Sequence, residues 1–186
     1  MADEDVSNEQ AEPQEAEPVE VEPAEPEPEL LHGVPVSYSR GQTVLHPSRS
    51  EYLTLVKSLR EQGYWMCADL CAVDYLTAND IRALPIGVQP ERFEIVATLL
   101  NNSERSRLRI RVQVPENDQS IDSLFSVHPS AENPEREVFD LFGINFENHP
   151  DLTRILMPDD WEGHPLRKDY SVGEIPVQFK DAPTSR

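Results

Sequence analysis

Two runs of alternating apolar residues place the strongest constraint on the fold. In each run every second residue is apolar: Phe93, Ile95, Ala97 and Leu99 in the first, and Leu108, Ile110, Val112 and Val114 in the second. A period of two is that of a β-strand with one buried face. The polar residues 101–106 between the runs suit a hairpin turn. The sequence therefore predicts an antiparallel hairpin whose apolar face is covered by other elements.

Further elements are predicted on either side of this hairpin. A helix over 49–62 is indicated by a capping box at Ser48 and Glu51 and by Gly63 beyond its end. Short strands are predicted near 43–45 and within 64–76, and residues 79–90 are predicted as a loop. The fold class that follows is α+β, with an antiparallel or mixed sheet of three to five strands and helices on one face.

A second helix is predicted between Asn133 and Gly143, and the sequence marks both of its ends. Asn133 is the predicted N-cap, Pro134 the first helical residue, and Gly143 the residue after the end. Its apolar residues share one side, which is expected to face the core: Val138, Leu141 and Phe142. A short helix near 121–127 is predicted to precede it.

The N-terminal residues have a composition unlike the rest of the chain. Residues 1–30 hold 12 of the 35 acidic residues and no Lys or Arg, in a protein of net charge −19. Repeated Glu-Pro steps with few large apolar side chains predict a disordered acidic tail over 1–30. The negative charge opposes direct binding to nucleic acid or to anionic lipid. No run of about 18 apolar residues occurs, so any membrane contact is expected to come through a partner.

Prolines interrupt the chain after residue 146, yet the segment stays apolar. Pro150, Pro158, Pro165, Pro176 and Pro183 interrupt each candidate helix, while many aliphatic and aromatic residues remain. Irregular segments longer than about 15 residues are usually functional or linkers. The sequence therefore predicts an α+β body over 31–146 and an extended C-terminal docking arm over 147–186 that covers a partner's surface.

Few residues are candidates for metal binding or catalysis. Cys67 and Cys71 are expected on one face of a strand as buried, unreactive thiols, because an iron–sulfur cluster needs about four thiolates. The richest set of metal-ligand residues is His149, Asp151, Asp159, Asp160, His164 and Asp169. The two histidines of this set stand fifteen residues apart across prolines, which does not match a known metal motif. The sequence therefore predicts no catalytic, cofactor-binding or metal-binding residue.

Two charged sets have structural and functional interpretations. Arg107, Arg109 and Arg111 form a basic stripe on one strand face, interpreted either as a solvated face or as a docking surface for an acidic partner. Glu135 and Glu137 are explained by the first turn of the second helix. Arg136 and Asp140 are spaced to pair along that helix.

Several segments resemble one protein family. They are CADLCAVDY over residues 67–75, RFEIV over 92–96 with the predicted strand over 108–114, EREVFDLFGINFENHPDL over 135–152 and RILMPDDWEGHPLRKDY over 154–170. These segments resemble the C subunit of the proton-translocating NADH–quinone oxidoreductase, respiratory complex I, over about residues 35–180. The chain departs from that family at Asn133, where an aromatic residue is usual, and at Thr153, where a basic one is usual.

The resemblance implies a non-catalytic structural subunit of a membrane-bound translocase. Electrons would pass from NADH through FMN and iron–sulfur clusters of other subunits to quinone, coupled to proton transport, with no cofactor in this chain. The implied partners are the quinone-site D subunit and the B and I iron–sulfur subunits, at the cytoplasmic side of a bacterial cell membrane, where the chain would be a peripheral subunit. The implied interface residues are Glu135, Arg136, Asp140, His149, Arg154, Trp161, His164, Arg167, Lys168 and Tyr170.

Three alternatives stay open at this point. The chain could be the equivalent subunit of a related quinone oxidoreductase that uses ferredoxin or another electron donor. It could be a stand-alone metal-dependent hydrolase using His149, His164 and nearby aspartates. It could also be an acidic adaptor whose first 30 residues bind a basic partner.

Overall fold

The fold is described by a computed structural model over residues 27–78 and 82–171. Its strands, in chain order, are β1 (Leu30–Leu31), β2 (Val34–Ser39), β3 (Gln42–Leu45), β4 (Met66–Asp74), β5 (Phe93–Asn101), β6 (Ser106–Val114), β7 (Ser120–Asp122) and β8 (Asn145–Glu147). Its helices are α1 (Arg49–Glu61) and α2 (Glu132–Phe142). Most of the predicted acidic tail and the last fifteen residues of the predicted arm lie outside the described residues, so the boundaries at 30 and 146 stay predictions.

The predicted hairpin lies inside a six-stranded mixed sheet. β5 and β6 pair antiparallel from Phe93 with Val114 to Asn101 with Ser106. The strand order is β1-β2-β3-β6-β5-β4, in which only the β3–β6 pair is parallel. The α+β class is thus confirmed, whereas the expected three to five strands was too few because β1 and β2 extend the sheet at one edge.

Helix α1 covers the apolar face of this sheet. Its Ser48 and Glu51 form the expected capping box, which satisfies backbone N–H groups that have no partner within the helix. The buried side of α1 consists of Tyr52, Leu55, Val56 and Leu59. These side chains join the alternating residues of β5 and β6 in one hydrophobic core.

The region before α2 differs from the prediction. No helix forms over 121–127, because residues 120–122 form β7, which pairs parallel with β8. Helix α2 begins at Glu132 after a 3₁₀ turn at Pro129–Ala131, so Ala131 rather than Asn133 is the N-cap. Pro134 is tolerated within the first turn because its missing N–H would have no partner inside the helix. Gly143 ends α2 as predicted, with a left-handed φ of 76°.

The two cysteines face different environments, contrary to the expectation of one face. The pairing of β4 with β5 shifts register between Cys67 and Asp69. Such a bulge exchanges the faces of the residues that follow it. Cys67 is therefore buried in the core, where burial raises the pKa of its thiol to about 11, while Cys71 is exposed.

The basic stripe is not uniform. Arg111 forms an ion pair of 2.7 Å with Glu94, which is itself buried. Arg109 donates a hydrogen bond of 2.9 Å to the side chain of Gln42, and Arg107 is exposed. One member of the stripe, Arg111, therefore belongs to a structural ion pair, and the other two remain at the surface.

None of the helices in the described ranges is long and apolar enough to cross a bilayer.

Candidate docking site

The end of α2 organises the first part of the C-terminal arm. Asp140 is fully buried, and its Oδ2 accepts hydrogen bonds from the backbone N–H groups of Ile155, Leu156 and Met157 at 3.1, 2.8 and 2.8 Å. Its Oδ1 lies 2.6 Å from Nη1 of Arg154. Burial alone would raise the pKa of Asp140, but these hydrogen bonds outweigh it and the pKa is lowered. An ionised carboxylate therefore holds the turn over 154–157.

This turn presents apolar side chains to solvent. Ile155 is 37% exposed and Leu156 is 58% exposed. Leu166, whose N–H donates a 3.1 Å hydrogen bond to the carbonyl of Leu141, is 47% exposed. The backbone of all three is bound to the last turns of α2. We call Ile155, Leu156 and Leu166 the apolar patch.

Arg136 braces the same turn instead of pairing with Asp140 as predicted. Its guanidinium donates to the carbonyl of Thr153 at 3.1 Å, to the hydroxyl of Thr153 at 2.9 Å and to the carbonyl of Arg154 at 3.2 Å. The carboxylate of Asp140 is occupied by the arm, so the pairing along the helix does not form.

His164 closes the arm over the end of α2. Its Nδ1 donates a 3.0 Å hydrogen bond to the carbonyl of Asp140, and burial lowers its pKa. The imidazole packs so closely on Gly143 that a Cβ at that position would lie 2.6 Å from Nε2. Trp161 is half-buried, and the ring of Tyr170 packs on Gly163, where a Cβ would lie 2.7 Å from Cε2.

Arg167 and Lys168 attach the last described part of the arm to the body. Nε of Arg167 donates to the carbonyl of Phe142 at 2.6 Å, and its guanidinium also contacts Gln119 and lies over the ring of Phe93. The exposed Lys168 uses its backbone N–H, which donates to Oδ2 of Asp74 at 2.9 Å.

A buried arginine completes this attachment. Arg92 pairs with Asp74 at 3.0 Å, with Asp169 of the arm at 2.8 Å, and with Glu116. Asp74 has a lowered pKa, because hydrogen bonds from Arg92 and from two backbone N–H groups outweigh its burial. No role was predicted from the sequence for Arg92 or Asp74, although both lie within segments that carry the resemblance. The cluster could not be recognised from the sequence, because Arg92 and Asp74 are far from Asp169 along the chain.

Glu135 and His149 join the other end of α2 to the start of the arm. The fully buried Glu135 accepts from the N–H of Leu124 at 2.7 Å and shares a 2.5 Å hydrogen bond with the hydroxyl of Ser123. Burial raises its pKa to about 7. Nε2 of His149 lies 3.9 Å from this carboxyl and donates to the carbonyl of Glu132 at 3.0 Å. Glu135 lies in the first turn of α2, as predicted, and also joins the residues that follow β7 to this helix.

The two histidines of the hydrolase hypothesis lie at opposite ends of α2. His149 binds the carbonyl of Glu132 and His164 that of Asp140, and eight helical residues span about 12 Å. One metal ion cannot reach both imidazoles in this arrangement. Within residues 27–78 and 82–171, no group of three or more His, Cys, Asp or Glu side chains could hold a metal ion.

The ten predicted interface residues are thus brought together around α2 and along the arm. Glu135 and Asp140 are buried and position other groups, while Lys168 is exposed and the rest are half-buried. Whether any of them contacts a partner stays a prediction. The arrangement itself can present an apolar surface at a fixed position.

Comparison with known proteins gives a consistent set of relatives. The family described as respiratory-chain NADH dehydrogenase, 30 kDa subunit, matches residues 45–175. The C subunit of NADH-quinone oxidoreductase from Geobacter sulfurreducens is 45% identical over 72% of this chain and 76% of its own length. Its counterpart from Saccharopolyspora erythraea is 40% identical over 79% of this chain. The chain spans only 56% of the length of that relative.

Solved structures support the same fold. A trypsin-resistant fragment (1–134) of Nqo5 superposes with a TM-score of 0.56 at 33% identity, covering 64% of this chain and 90% of the fragment. A chain of the archaeal membrane-bound sulfane sulfur reductase superposes with a TM-score of 0.62 at 19% identity, covering 82% and 90%. The second likeness is one of fold alone.

Proposed function

The chain belongs to the family of the 30 kDa subunit of respiratory-chain NADH dehydrogenase, and from that premise we propose that it is a structural subunit of the peripheral arm of an NADH–quinone oxidoreductase. In this role it contributes no redox centre. Electrons pass from NADH through FMN and iron–sulfur clusters of neighbouring subunits to quinone, coupled to proton translocation. The subunit sits peripherally at the cytoplasmic side of the cell membrane through its partners.

One observation carries this proposal: the buried carboxylate of Asp140 holds the turn over 154–157 so that apolar side chains point outward. An apolar group fixed before binding loses little conformational entropy when a partner covers it. Exposed side chains of this kind, bound to a rigid helix end, have the character of interface anchors. The C-terminal arm is accordingly the docking element.

The surroundings of the patch define the partner's chemistry. Acidic side chains adjoin it along the arm, and they are exposed: Asp151, Asp159, Asp160 and Glu162. A complementary surface has an apolar depression with Lys or Arg at its rim. We assign this surface to the quinone-site D subunit, with the B and I iron–sulfur subunits as further neighbours.

Affinity purification of the full chain from detergent-solubilised membranes tests the proposal. The wild-type chain is expected to recover a flavin-binding NADH subunit and the iron–sulfur subunits. Leu156→Asp is expected to lose them, because a charge replaces a 58% exposed apolar side chain at the interface. Leu30→Asp is the matched control, since Leu30 is 57% exposed and lies in the edge strand β1.

Two outcomes would count against the proposal. Equal recovery with Leu156→Asp and wild type would place the interface elsewhere. Recovery of a subunit that accepts electrons from ferredoxin, in place of a flavin-binding NADH subunit, would assign the chain to a related quinone oxidoreductase.

A further inference from the structure

The sheet exposes part of its outer face, the side away from the helices, at the end where β6 begins. Leu99 of β5 and Leu108 of β6 belong to the core. Successive side chains of a strand point to opposite faces, so their neighbours Leu100 and Arg107 project outward. Met66 of β4 pairs with Leu100, which pairs in turn with Arg107. These three side chains therefore form one row across three strands of the outer face.

A second row lies beside the first, toward the middle of the sheet. It consists of Asp69 on β4, Thr98 on β5 and Arg109 on β6. Val96 follows on the same face of β5, and Met66 is 40% exposed. A largely apolar stripe along β5 thus lies beside a line of arginines on β6. We call the following residues the outer surface: Met66, Val96, Thr98, Leu100, Arg107 and Arg109.

The loop after β4 covers the opposite end of this face. The hydroxyl of Tyr75 donates a 3.4 Å hydrogen bond to Glu94, and the guanidinium of Arg82 lies 4.1 Å from the centre of the Tyr75 ring. At the outer surface, Arg109 donates a 2.9 Å hydrogen bond to Gln42 of the adjacent β3. Within the described residues, no side chain from outside the sheet forms a hydrogen bond with the outer surface.

The arginines of the outer surface have no acidic partner among residues 27–78 and 82–171. None of the ion pairs found there includes Arg107 or Arg109. Asp69 stands two strand spacings, about 10 Å, from Arg109 in its row, which is too far for an ion pair. The β5–β6 turn adds the exposed Glu104 and Arg105, whose charges cancel. The β6 side of the outer surface is thus cationic, in a chain of net charge −19.

From this arrangement we propose that the outer surface is a second docking site, which binds one amphipathic helix of another protein. The apolar side of that helix covers Met66, Val96 and Leu100, and its carboxylates pair with Arg107 and Arg109. Methionine and arginine are both enriched at protein interfaces. Helix α2, to which the apolar patch is attached, packs on the opposite face of the sheet. The second site is therefore independent of the docking arm.

The shape of the outer surface favours a helix over a strand. β5 and β6 are each paired on both sides within the sheet, so their backbone groups cannot accept an added strand. The rows span two strand spacings, about 10 Å, which matches the diameter of one helix. Charge also fixes the orientation of the helix about its axis. Its acidic edge faces β6, because Asp69 on β4 repels carboxylates.

Photo-crosslinking of the full-length chain in whole cells tests this docking site. Met66 is replaced by p-benzoylphenylalanine in one chain, and Lys57, on the exposed side of α1, is replaced by it in a control chain. Irradiation is expected to give several-fold more adduct at position 66 than at position 57. Mass spectrometry is expected to place the adduct in a segment of another protein that has a helical apolar repeat and Asp or Glu at helical spacing.

Charge-matched variants show whether the arginines recognise the partner. In the chain labelled at position 66, Arg107→Gln is expected to lower the adduct yield about three-fold, the size of one exposed ion pair. Adding Arg109→Gln is expected to lower it about ten-fold in total, because two such pairs are lost. Lys57→Gln removes the same charge from α1 and is expected to leave the yield unchanged. Circular dichroism of each purified variant checks that the fold is kept.

Four results would overturn the proposal. Equal adduct yields at positions 66 and 57 would mean that nothing docks on the outer surface. Adducts confined to this chain or to lipid would exclude another protein as the occupant. A partner segment without acidic residues would exclude the proposed chemistry of the helix. Equal yields with Arg107→Gln and Lys57→Gln would exclude recognition by the arginines.

Discussion

Oδ1 of Asp140 lies 2.6 Å from Nη1 of Arg154, fourteen residues further along the chain. The same carboxylate holds three backbone N–H groups of the arm. A single buried side chain at the end of α2 thus determines where Ile155 and Leu156 of the apolar patch are displayed. This relationship makes the arm part of the folded body up to at least residue 157.

Asp140→Asn should therefore destabilise the fold and weaken the attachment of the arm to the end of α2. The amide loses the ion pair with Arg154 and replaces a charged acceptor with a neutral one. Breaking a buried pair in this way costs about 3 kcal/mol of unfolding free energy. Urea denaturation measures the loss, and Glu137→Gln, a nearby exposed acid, should change stability by less than about 0.5 kcal/mol. Equal effects of the two substitutions would contradict the central role of Asp140.

Glu135 should make stability fall as pH rises toward neutrality. Its folded pKa of about 7 exceeds the ordinary value of 4.5. Between these values the folded state keeps a proton that the unfolded state has lost, so protonation stabilises the fold at low pH and this stabilisation disappears as pH rises. The integrated loss is about 3 kcal/mol.

Glu135→Gln isolates that contribution. Its amide can donate to Ser123 while its carbonyl accepts from Leu124, as the protonated acid does. We expect the stability of the variant relative to wild type to rise by about 2.5 kcal/mol between about pH 5 and pH 8, most of the full loss. Denaturation at both pH values is the measurement, and parallel pH profiles for the two proteins would show that Glu135 does not titrate in this window.

Gly143→Ala should loosen the arm as well as strain α2. An alanine must adopt a φ of 76°, and its Cβ would lie 2.6 Å from Nε2 of His164. Gly33→Ala is the matched control, because Gly33 has a φ of 81° and no atom within 4 Å of the added Cβ. Both variants lose about 1 kcal/mol of stability to the left-handed backbone. Only Gly143→Ala should accelerate limited proteolysis between residues 154 and 170; equal proteolysis would mean that His164 is not held by this contact.

Replacing Arg92 should lower the unfolding free energy far more than replacing Asp169, the exposed acid that it binds. Arg92→Met leaves the buried Asp74 without its cation, which costs about 3 kcal/mol. Asp169→Asn removes a partner that is 49% exposed, and we expect a loss below about 1 kcal/mol. Unfolding free energies test the ranking, and faster hydrogen exchange of the Lys168 amide in Arg92→Met would report release of the arm. A larger loss for Asp169→Asn would reverse this interpretation of the cluster.

The cysteines should differ in reactivity. Burial raises the pKa of both thiols, but Cys71 is exposed whereas Cys67 is buried. A maleimide is expected to modify one thiol per native chain and none in Cys71→Ser, because the reactive species is an accessible thiolate. Mass spectrometry counts the adducts, and two adducts on the native chain would show that the core opens at Cys67.

Local patterns in the sequence determined much of the secondary structure of this protein. The period-two runs of β5 and β6, the capping box of α1 and the glycine that ends α2 each act through neighbouring residues, so they can be recognised without tertiary information. The apolar, proline-broken arm is also visible in the sequence, because composition alone prevents a helix there.

Tertiary structure alone decided the pairings between distant residues. β7 forms because β8 supplies its backbone partners, although the sequence near Ile121 suggested a helix. Asp140 binds Arg154 rather than Arg136 because the arm folds over the end of α2, and a bulge in β4 separates the faces of Cys67 and Cys71. In each case the preferred contact depends on long-range packing, whose energy exceeds the few tenths of a kcal/mol that local spacing contributes.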